Sequence, residues 1–345
     1  MRGIGGSKRN PVVVVARVDR PPPGLPETES GARYEFASDE LELRRALAQA
    51  EVMFAWNFAD GAVFEKTFAA ARHLRWIHAA GVGVEPLLFP EVIASQVVVT
   101  NAGGVYEQTM AEYALMLMLQ MAKDAVHTWE DQRAHHWNRR RADTLQGRTV
   151  LIVGAGSIGR AIARLARALE MITIGVARSP RPGDAEFEVI HGASELSAVV
   201  DRADYVVLVA PLTAATAGIV DHEVLWRMKP TAQLINLGRG GLLDEGALLE
   251  ALRTKRIAGA ALDVYWEEPL PPTHPLWDLP NVIVSPHMSG DVSDTHQRFV
   301  RSFLDNLYRW QANLPLHHVV DKTLGFRASA TDGSPASKRR KSEGA

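Results

Sequence analysis

The stretch TVLIVGAGSIGRAIARLARALE, residues 149–170, constrains this chain more than any other. Five strand-forming residues run into a glycine-rich turn, which opens into a segment with apolar residues at helical spacing. Its glycines, Gly154, Gly156 and Gly159, match the GxGxxG pattern of a dinucleotide loop. A lone match is weak, but here the strand precedes and the helix follows, as the mechanics of such a loop require. Gly154 permits the tight turn, Gly156 lets backbone approach a pyrophosphate, and Gly159 lets the helix pack on the sheet. Together with Ser157 and Ile158 they form a candidate phosphate loop, with the partial positive charge of a helix N-terminus behind it. The competing reading is a glycine turn in a parallel sheet that holds no ligand.

A strand–turn–helix unit of this kind needs parallel neighbours, and the rest of the chain supplies them twice. Residues 11–18 (PVVVVARV), 51–56, 74–80 and 97–102 read as strands, with helices predicted over 39–50 and 61–73. A long helix is predicted from Tyr106 to Trp129, followed by the Arg-rich linker QRAHHWNRRRADTLQG at 132–147. Alternation then resumes with strands at 149–154, 171–177, 205–210, 233–238, 258–264 and 282–287. A last helix, 291–312, is expected to return to the first sheet, anchored by Trp310. The reading is therefore α/β, with two parallel sheets covered on both faces. The first domain is discontinuous, 1–101 plus 291–321, and the second spans 102–290.

At 345 residues the chain has room for two cores. With 46% hydrophobic and 23% charged residues it reads as a soluble globular protein. A net charge of −2 gives no reason to expect nucleic acid or a membrane surface as a partner. Cysteine is absent, which removes disulfides, thiolate nucleophiles and Cys-ligated zinc. The apolar run ALMLMLQMA at 114–122 is too short to span a bilayer, and no signal-like core follows MRGIGGSKRN, so a cytoplasmic location is expected. His127, Glu130, Asp131, His135 and His136 fit no compact ligand set, so no metal is expected. Met110, Met116, Met118 and Met121 read as helix packing. Residues 327–345 lack large apolar side chains and read as a disordered tail, with KRRK at 338–341 as solvated charge in preference to a nucleic-acid patch.

One position breaks the dinucleotide pattern. About 20 residues past the glycines an acid is normally placed to bond the ribose hydroxyls. Arg178 stands there, with Ser179 and Arg181 close behind. A guanidinium can grip a 2′-phosphate that an acid would repel, so NADP(H) is preferred in this reading and NAD(H) remains possible. The alternative is that Arg178 is a solvated loop cation.

Three further segments carry chemistry. Arg239 follows the strand QLINLG, Asp263 ends the next strand with Glu268 in the loop beyond, and His287 ends the one after. Ligands in open parallel sheets bind beyond the carboxyl ends of the strands, and all of these sit there. Histidine suits proton exchange near neutral pH, and a neighbouring carboxylate orients its ring. An arginine can hold a substrate carboxylate and polarise the adjoining carbonyl. Taken singly, Arg239 also reads as a surface turn residue, Glu268 as a solvated acid and His287 as a core imidazole. Trp56 reads as core packing before it reads as a border of the substrate side.

With GVGVEPL, TNAGGVYEQTMAEYALMLML, GAGSIG, APLTAATAGIVDHE, INLGRGGLLDEGAL, ALDVYWEEPLPPTHPLW and NVIVSPHMSG in this order, the chain resembles the D-isomer-specific 2-hydroxy-acid dehydrogenases over Val12 to Asp321. The resemblance implies a flavodoxin-like substrate domain, a Rossmann cofactor domain and an active site in the cleft between them. It implies a homodimer joined through the cofactor domain and the long helix and arm after Ala102. Its catalytic Arg, Glu and His fall on Arg239, Glu268 and His287, and its carboxylate-cupping backbone on Val82 and Gly83. Cofactor positions fall on Ala210, Pro211, Thr216, Leu237, Asp263 and Gly290, with Thr109 near the nicotinamide. Formate dehydrogenases of this fold carry Gln where Glu268 stands, and the Arg178–Ser179 pair resembles the glyoxylate and hydroxypyruvate reductase branch. A small 2-keto acid, or the matching D-2-hydroxy acid, is thus the implied substrate, and Met288 narrows its pocket. The same fold resembles that of dinucleotide-binding corepressors, which keeps a regulatory alternative open.

Overall fold

The computed structural model describes residues 10–18, 21–25 and 31–326. The expected disordered tail and its KRRK run lie outside them. The first sheet has five strands: β1 (Val12–Ala16), β2 (Arg33–Ala37), β3 (Val52–Ala55), β4 (Trp76–Ala79) and β5 (Val98–Asn101). Helices α1 (Glu40–Leu47), α2 (Gly61–Phe68) and α3 (Pro90–Ala94) lie in its connections. Next come α4 (Glu107–Ala122) and α5 (Ala125–Ala134).

The second sheet has eight strands. It opens with β6 (Thr149–Val153), α6 (Ser157–Ala168) and β7 (Ile172–Ala177). Two short strands follow, β8 (Arg181–Pro182) and β9 (Val189–Gly192), then α7 (Leu196–Val199) and β10 (Tyr205–Leu208). It closes with α8 (His222–Arg227), β11 (Gln233–Asn236), α9 (Glu245–Arg253), β12 (Gly259–Leu262) and β13 (Val282–Val284). The last helix is α10 (Thr295–Gln311).

Strand order is β2-β1-β3-β4-β5 in the first sheet and β13-β12-β11-β10-β6-β7-β9-β8 in the second. All pairings are parallel except β8 with β9. Parallel sheets bury both faces, which is why β1 is an unbroken valine run. Val13 and Val15 enter one core cluster with Phe299, Val300, Phe303 and Leu307 of α10. Val14 enters the opposite cluster with Leu43 and Leu47 of α1 and Phe64 of α2. The second sheet repeats the device: Val150 and Ile152 pack with α4 and α6, and Leu151 and Val153 with α8 and α9.

Two sequence expectations change. The helix predicted over 106–129 is two helices, because Asp124 adopts a left-handed conformation at φ 52°. The Asp124 carboxylate accepts from Arg140 Nε (2.5 Å) and pairs with His127, so the arm after α5 holds the break. The helix predicted from 291 starts at Thr295, after a turn in which Val292 N donates to Thr295 Oγ1 (2.8 Å).

Candidate active site in the cleft between the sheets

The glycine loop leaves β6 and enters α6. Gly154 has φ +114°, and a Cβ there would lie 2.7 Å from Ala210 N, so glycine is required by conformation and by space. A Cβ on Gly159 would fall 2.1 Å from the Gly154 carbonyl oxygen. Around Gly156, by contrast, nothing lies within 4 Å of the added atom. Among the described residues no side chain caps the first turn of α6. Open space over Gly156 and uncapped N–H groups behind it fit the pyrophosphate of a dinucleotide. Gly154, Gly156, Ser157, Ile158 and Gly159 would hold it.

Arg178 and Ser179 follow β7 and are exposed. Arg181 donates from Nη2 to the Ala155 carbonyl of the glycine loop (3.3 Å). Arg160, on α6, pairs with Asp184 (2.6 Å) and Glu186 (2.9 Å), fastening the segment after Arg181 to the helix. That guanidinium holds the Asp184 carboxyl down at about 2. Ala210 and Pro211 follow β10, and Thr216 Oγ1 donates to the Pro211 carbonyl (2.6 Å). Leu237 is buried in the core with Ile152 and Ala155, so it meets any ligand through backbone alone.

Arg239 follows β11 in a turn clamped by Asn236, whose Nδ2 donates to the Arg239 carbonyl (2.9 Å) and whose Oδ1 accepts from Gly238 N (3.1 Å). The guanidinium donates from Nη1 to the Gly238 carbonyl (2.8 Å). Its Nη2 lies 1.9 Å from where a Cβ on Gly83 would sit. The turn after β4 in the first sheet and the turn after β11 in the second thus meet at Gly83 and Arg239. Val82, beside Gly83, is fixed through its carbonyl, which accepts from Asn101 Nδ2 (2.7 Å).

His287 follows β13 with φ 51°, and its Nδ1 lies 2.7 Å from Glu268 Oε2. The other Glu268 oxygen accepts from Tyr265 N (3.0 Å). Asp263, fully buried, accepts from Ser285 Oγ (2.6 Å), Met288 N (3.0 Å) and Ser289 N (2.8 Å), which fixes the loop that carries His287. Its carboxylate is thereby occupied by protein donors, while Met288 is exposed.

Sequence reasoning did not single out the residue that joins these pieces. Tyr265 donates its hydroxyl to the Leu262 carbonyl (2.6 Å) and accepts from Ser285 N (3.1 Å), while its own amide holds Glu268. Burial pushes this phenol up, so it remains protonated and a donor. A Cβ on Gly240 would fall 2.0 Å from the Tyr265 carbonyl carbon, so the Arg239 turn rests on the same segment. One residue therefore ties the ends of β12 and β13, through its hydroxyl, to the acid–imidazole pair, through its amide.

Tyr106 lies between the two sheets. It packs against the cores of both sheets, and its ring lies 2.6 Å from where a Cβ on Gly290 would sit. Burial foremost, then the charge of Asp291, pushes its phenol up to about 12. Thr109 is buried in the first turn of α4, its hydroxyl donating to the Tyr106 carbonyl (3.0 Å). Trp56 packs among Phe54, Phe299 and His296. No three His, Asp or Glu side chains converge as a metal site among the described residues. No helix among them is long and apolar enough to cross a membrane.

Residues 115–289 match the family model for the D-isomer specific 2-hydroxyacid dehydrogenase, NAD binding domain. A glyoxylate reductase of Korarchaeum cryptofilum is 34% identical over 76% of this chain and 81% of its own. Glyoxylate/hydroxypyruvate reductase B of Pectobacterium carotovorum is 34% identical over 76% of this chain and 82% of its own. Among solved structures, the NADPH-dependent glyoxylate/hydroxypyruvate reductase of Sinorhizobium meliloti, in complex with NADP and sulfate, superposes with a TM-score of 0.78. That protein is 28% identical, and the match covers 92% of this chain and all of the other. With two parallel sheets, a glycine loop and this likeness, the chain belongs to the D-isomer specific 2-hydroxyacid dehydrogenase family and is a nicotinamide-dependent 2-hydroxyacid dehydrogenase.

Proposed function

We propose that this enzyme is an NADPH-preferring reductase of a small 2-keto acid such as glyoxylate or hydroxypyruvate. The observation that carries the reading is the His287–Glu268 pair at 2.7 Å, on a segment that also carries the turn placing Arg239 against Gly83. When bound, the reduced nicotinamide supplies the hydride. Arg239 and the backbone of Val82 and Gly83 hold the substrate carboxylate, and Arg239 polarises the carbonyl. Glu268 accepts from His287 Nδ1, which leaves Nε2–H to donate to the oxygen that becomes a hydroxyl. Run in reverse, the same nitrogen accepts the proton of a D-2-hydroxy acid. Asp263 positions the His287 loop, and Thr216, Ala210, Pro211, Leu237 and Gly290 line the nucleotide path.

NADPH preference is supported by Arg178, Ser179 and Arg181 at the end of β7, where an acid would repel a 2′-phosphate. We assign 1–101 plus 291–321 to the substrate domain and 102–290 to the cofactor domain. The protein acts as a cytoplasmic homodimer in this reading. Support for a partner comes from the arm, where Trp137 is 99% exposed and α5 buries no residue.

The test is a panel of 2-keto acids assayed with NADPH and NADH, using the parent protein and Arg178→Ala. Expected are turnover of small unbranched acids and a kcat/KM ratio favouring NADPH that falls about tenfold in the variant, the value of one charge-assisted contact. A ratio favouring NADH in the parent refutes the cofactor assignment. A protein that binds NADPH yet reduces no acid on the panel is a nucleotide-binding regulatory dimer instead.

A further inference from the structure

We propose that Glu85 is a charge filter for the active site, reserving the Arg239 pocket for monoanionic 2-keto acids and disfavouring those with a second negative charge. The inference rests on the reading of Arg239 as the carboxylate anchor. Glu85 opens the short 3-10 turn Glu85–Leu87, two residues past Gly83. One carboxylate oxygen lies 3.6 Å from Arg239 Nε, and the other lies 2.7 Å from where a Cβ on Gly83 would sit. Gly83, Glu85 and Arg239 therefore meet at one point, with an acid facing the cation that binds acids.

The donors of Arg239 are divided accordingly. Nε faces Glu85, Nη1 is bonded to the Gly238 carbonyl, and Nη2 lies over Gly83. A substrate carboxylate meets the Nη edge, with the charge of Glu85 on the Nε flank. The pair is a poor candidate for a stabilising element. Its side chains are 36% and 40% exposed, and ion pairs so open to water add little to folding. Its effect on the pocket is larger. Arg239 offers its Nη edge to one carboxylate, and any further negative charge on the ligand is repelled by the carboxylate of Glu85 on the Nε flank. Across a partly solvated cleft, one nearby carboxylate discriminates by about tenfold per added ligand charge.

Oxamate and oxalate, close in shape and one charge apart, read this directly. Their binding to the NADPH-loaded full-length protein is measured by calorimetry in the parent, Glu85→Gln and Glu85→Asp. The oxalate-to-oxamate affinity ratio is expected to rise about tenfold in Glu85→Gln and to stay near the parent value in Glu85→Asp. The rise shrinks in about 0.5 M salt, as screening requires. A ratio unmoved within about twofold in Glu85→Gln overturns the filter. So does an equal rise in Glu85→Asp, because the cause is then not charge, and so does failure of oxamate, the monoanion, to bind the parent. If the ratio moves but no keto acid is reduced, the filter stands and the reductase reading falls. If keto acids are reduced and the ratio does not move, the reductase reading stands and the filter falls.

Discussion

Both sheets reverse strand order once, between β1 and β3 in the first and between β6 and β10 in the second. Topology alone gives each a crevice at the carboxyl edge. At the end of β1, Arg17 N and Val18 N both donate to the Ala37 carbonyl, at 2.6 and 3.1 Å, and the first helix beyond is capped by Asp39. At the end of β6, Gly154 N and Ala155 N likewise donate to the Val176 carbonyl, at 2.9 and 3.1 Å, and the chain then enters a helix start that no described side chain caps. Both strand ends thus bond the neighbouring strand in the same way, and the difference lies in the helix starts: Asp39 caps α1, while the first turn of α6 has no side-chain cap among the described residues. A strand reversal makes a groove, and the residues after it decide whether a phosphate can use it. The first sheet, with its aromatic core, then serves as a wall that brings Gly83 and Glu85 to the chemistry of the second.

That division of labour is open to test. Phe303 of α10 stacks on Phe54 at 4.2 Å and on Trp76 at 5.6 Å. Phe303→Ala is expected to cost about 3–5 kcal/mol, read by urea unfolding. If NADPH affinity survives where the first sheet has melted, the two sheets are separable; if it falls in step, they fold as one unit. Gly83→Ala sharpens the contact between them. The added atom would press on the movable tip of Arg239, so stability should change by less than about 1 kcal/mol while kcat/KM falls about 100-fold. Unchanged kinetics would separate Arg239 from the wall it rests on.

The smallest effect concerns acid. His78 in β4 is the one buried histidine among the described residues, with Nδ1 2.8 Å from Thr100 Oγ1. Burial, then the charge of His318, holds its pKa down from 6.5 to about 3. The folded state therefore binds fewer protons than the unfolded one between those values. Stability is full above about pH 6.5 and falls by about 1.4 kcal/mol per pH unit as pH drops toward 3. His78→Gln should remove that slope, measured by unfolding between about pH 6 and pH 4. An identical slope in both proteins would shift the acid sensitivity away from the first sheet.

The doubly covered strands were legible because VVVV and TVLIV can satisfy two cores at once. RYEFA in β2 was not, since Tyr34 and Phe36 alternate with Arg33 and Glu35 over only five residues, and on this edge strand only Ala37 is buried. Nor were β8 and β9, the first of which has only two residues. The break at Asp124 depends on Arg140 returning from the arm, a contact that local periodicity does not encode. At the candidate site, the placement of Arg239, Glu268 and His287 along one sheet edge was readable because each lies just past a strand of one consecutive parallel set. Tyr265 and Glu85 were not, because their part is defined by partners far along the chain. Asn236 lies within the INLGRG motif, and its position beside the turn was the available clue.

The imidazole of His287 is 47% exposed, and the nearby Asp263 is saturated by amides and a hydroxyl. In the proposed reduction, each cycle withdraws one hydrogen ion from that ring. In that scheme the half-exposed ring is refilled directly from bulk water or dissolved buffer. An enzyme built this way keeps its protic supply in equilibrium with its medium, and leaves the nicotinamide half of the reaction as the part the protein has to ration.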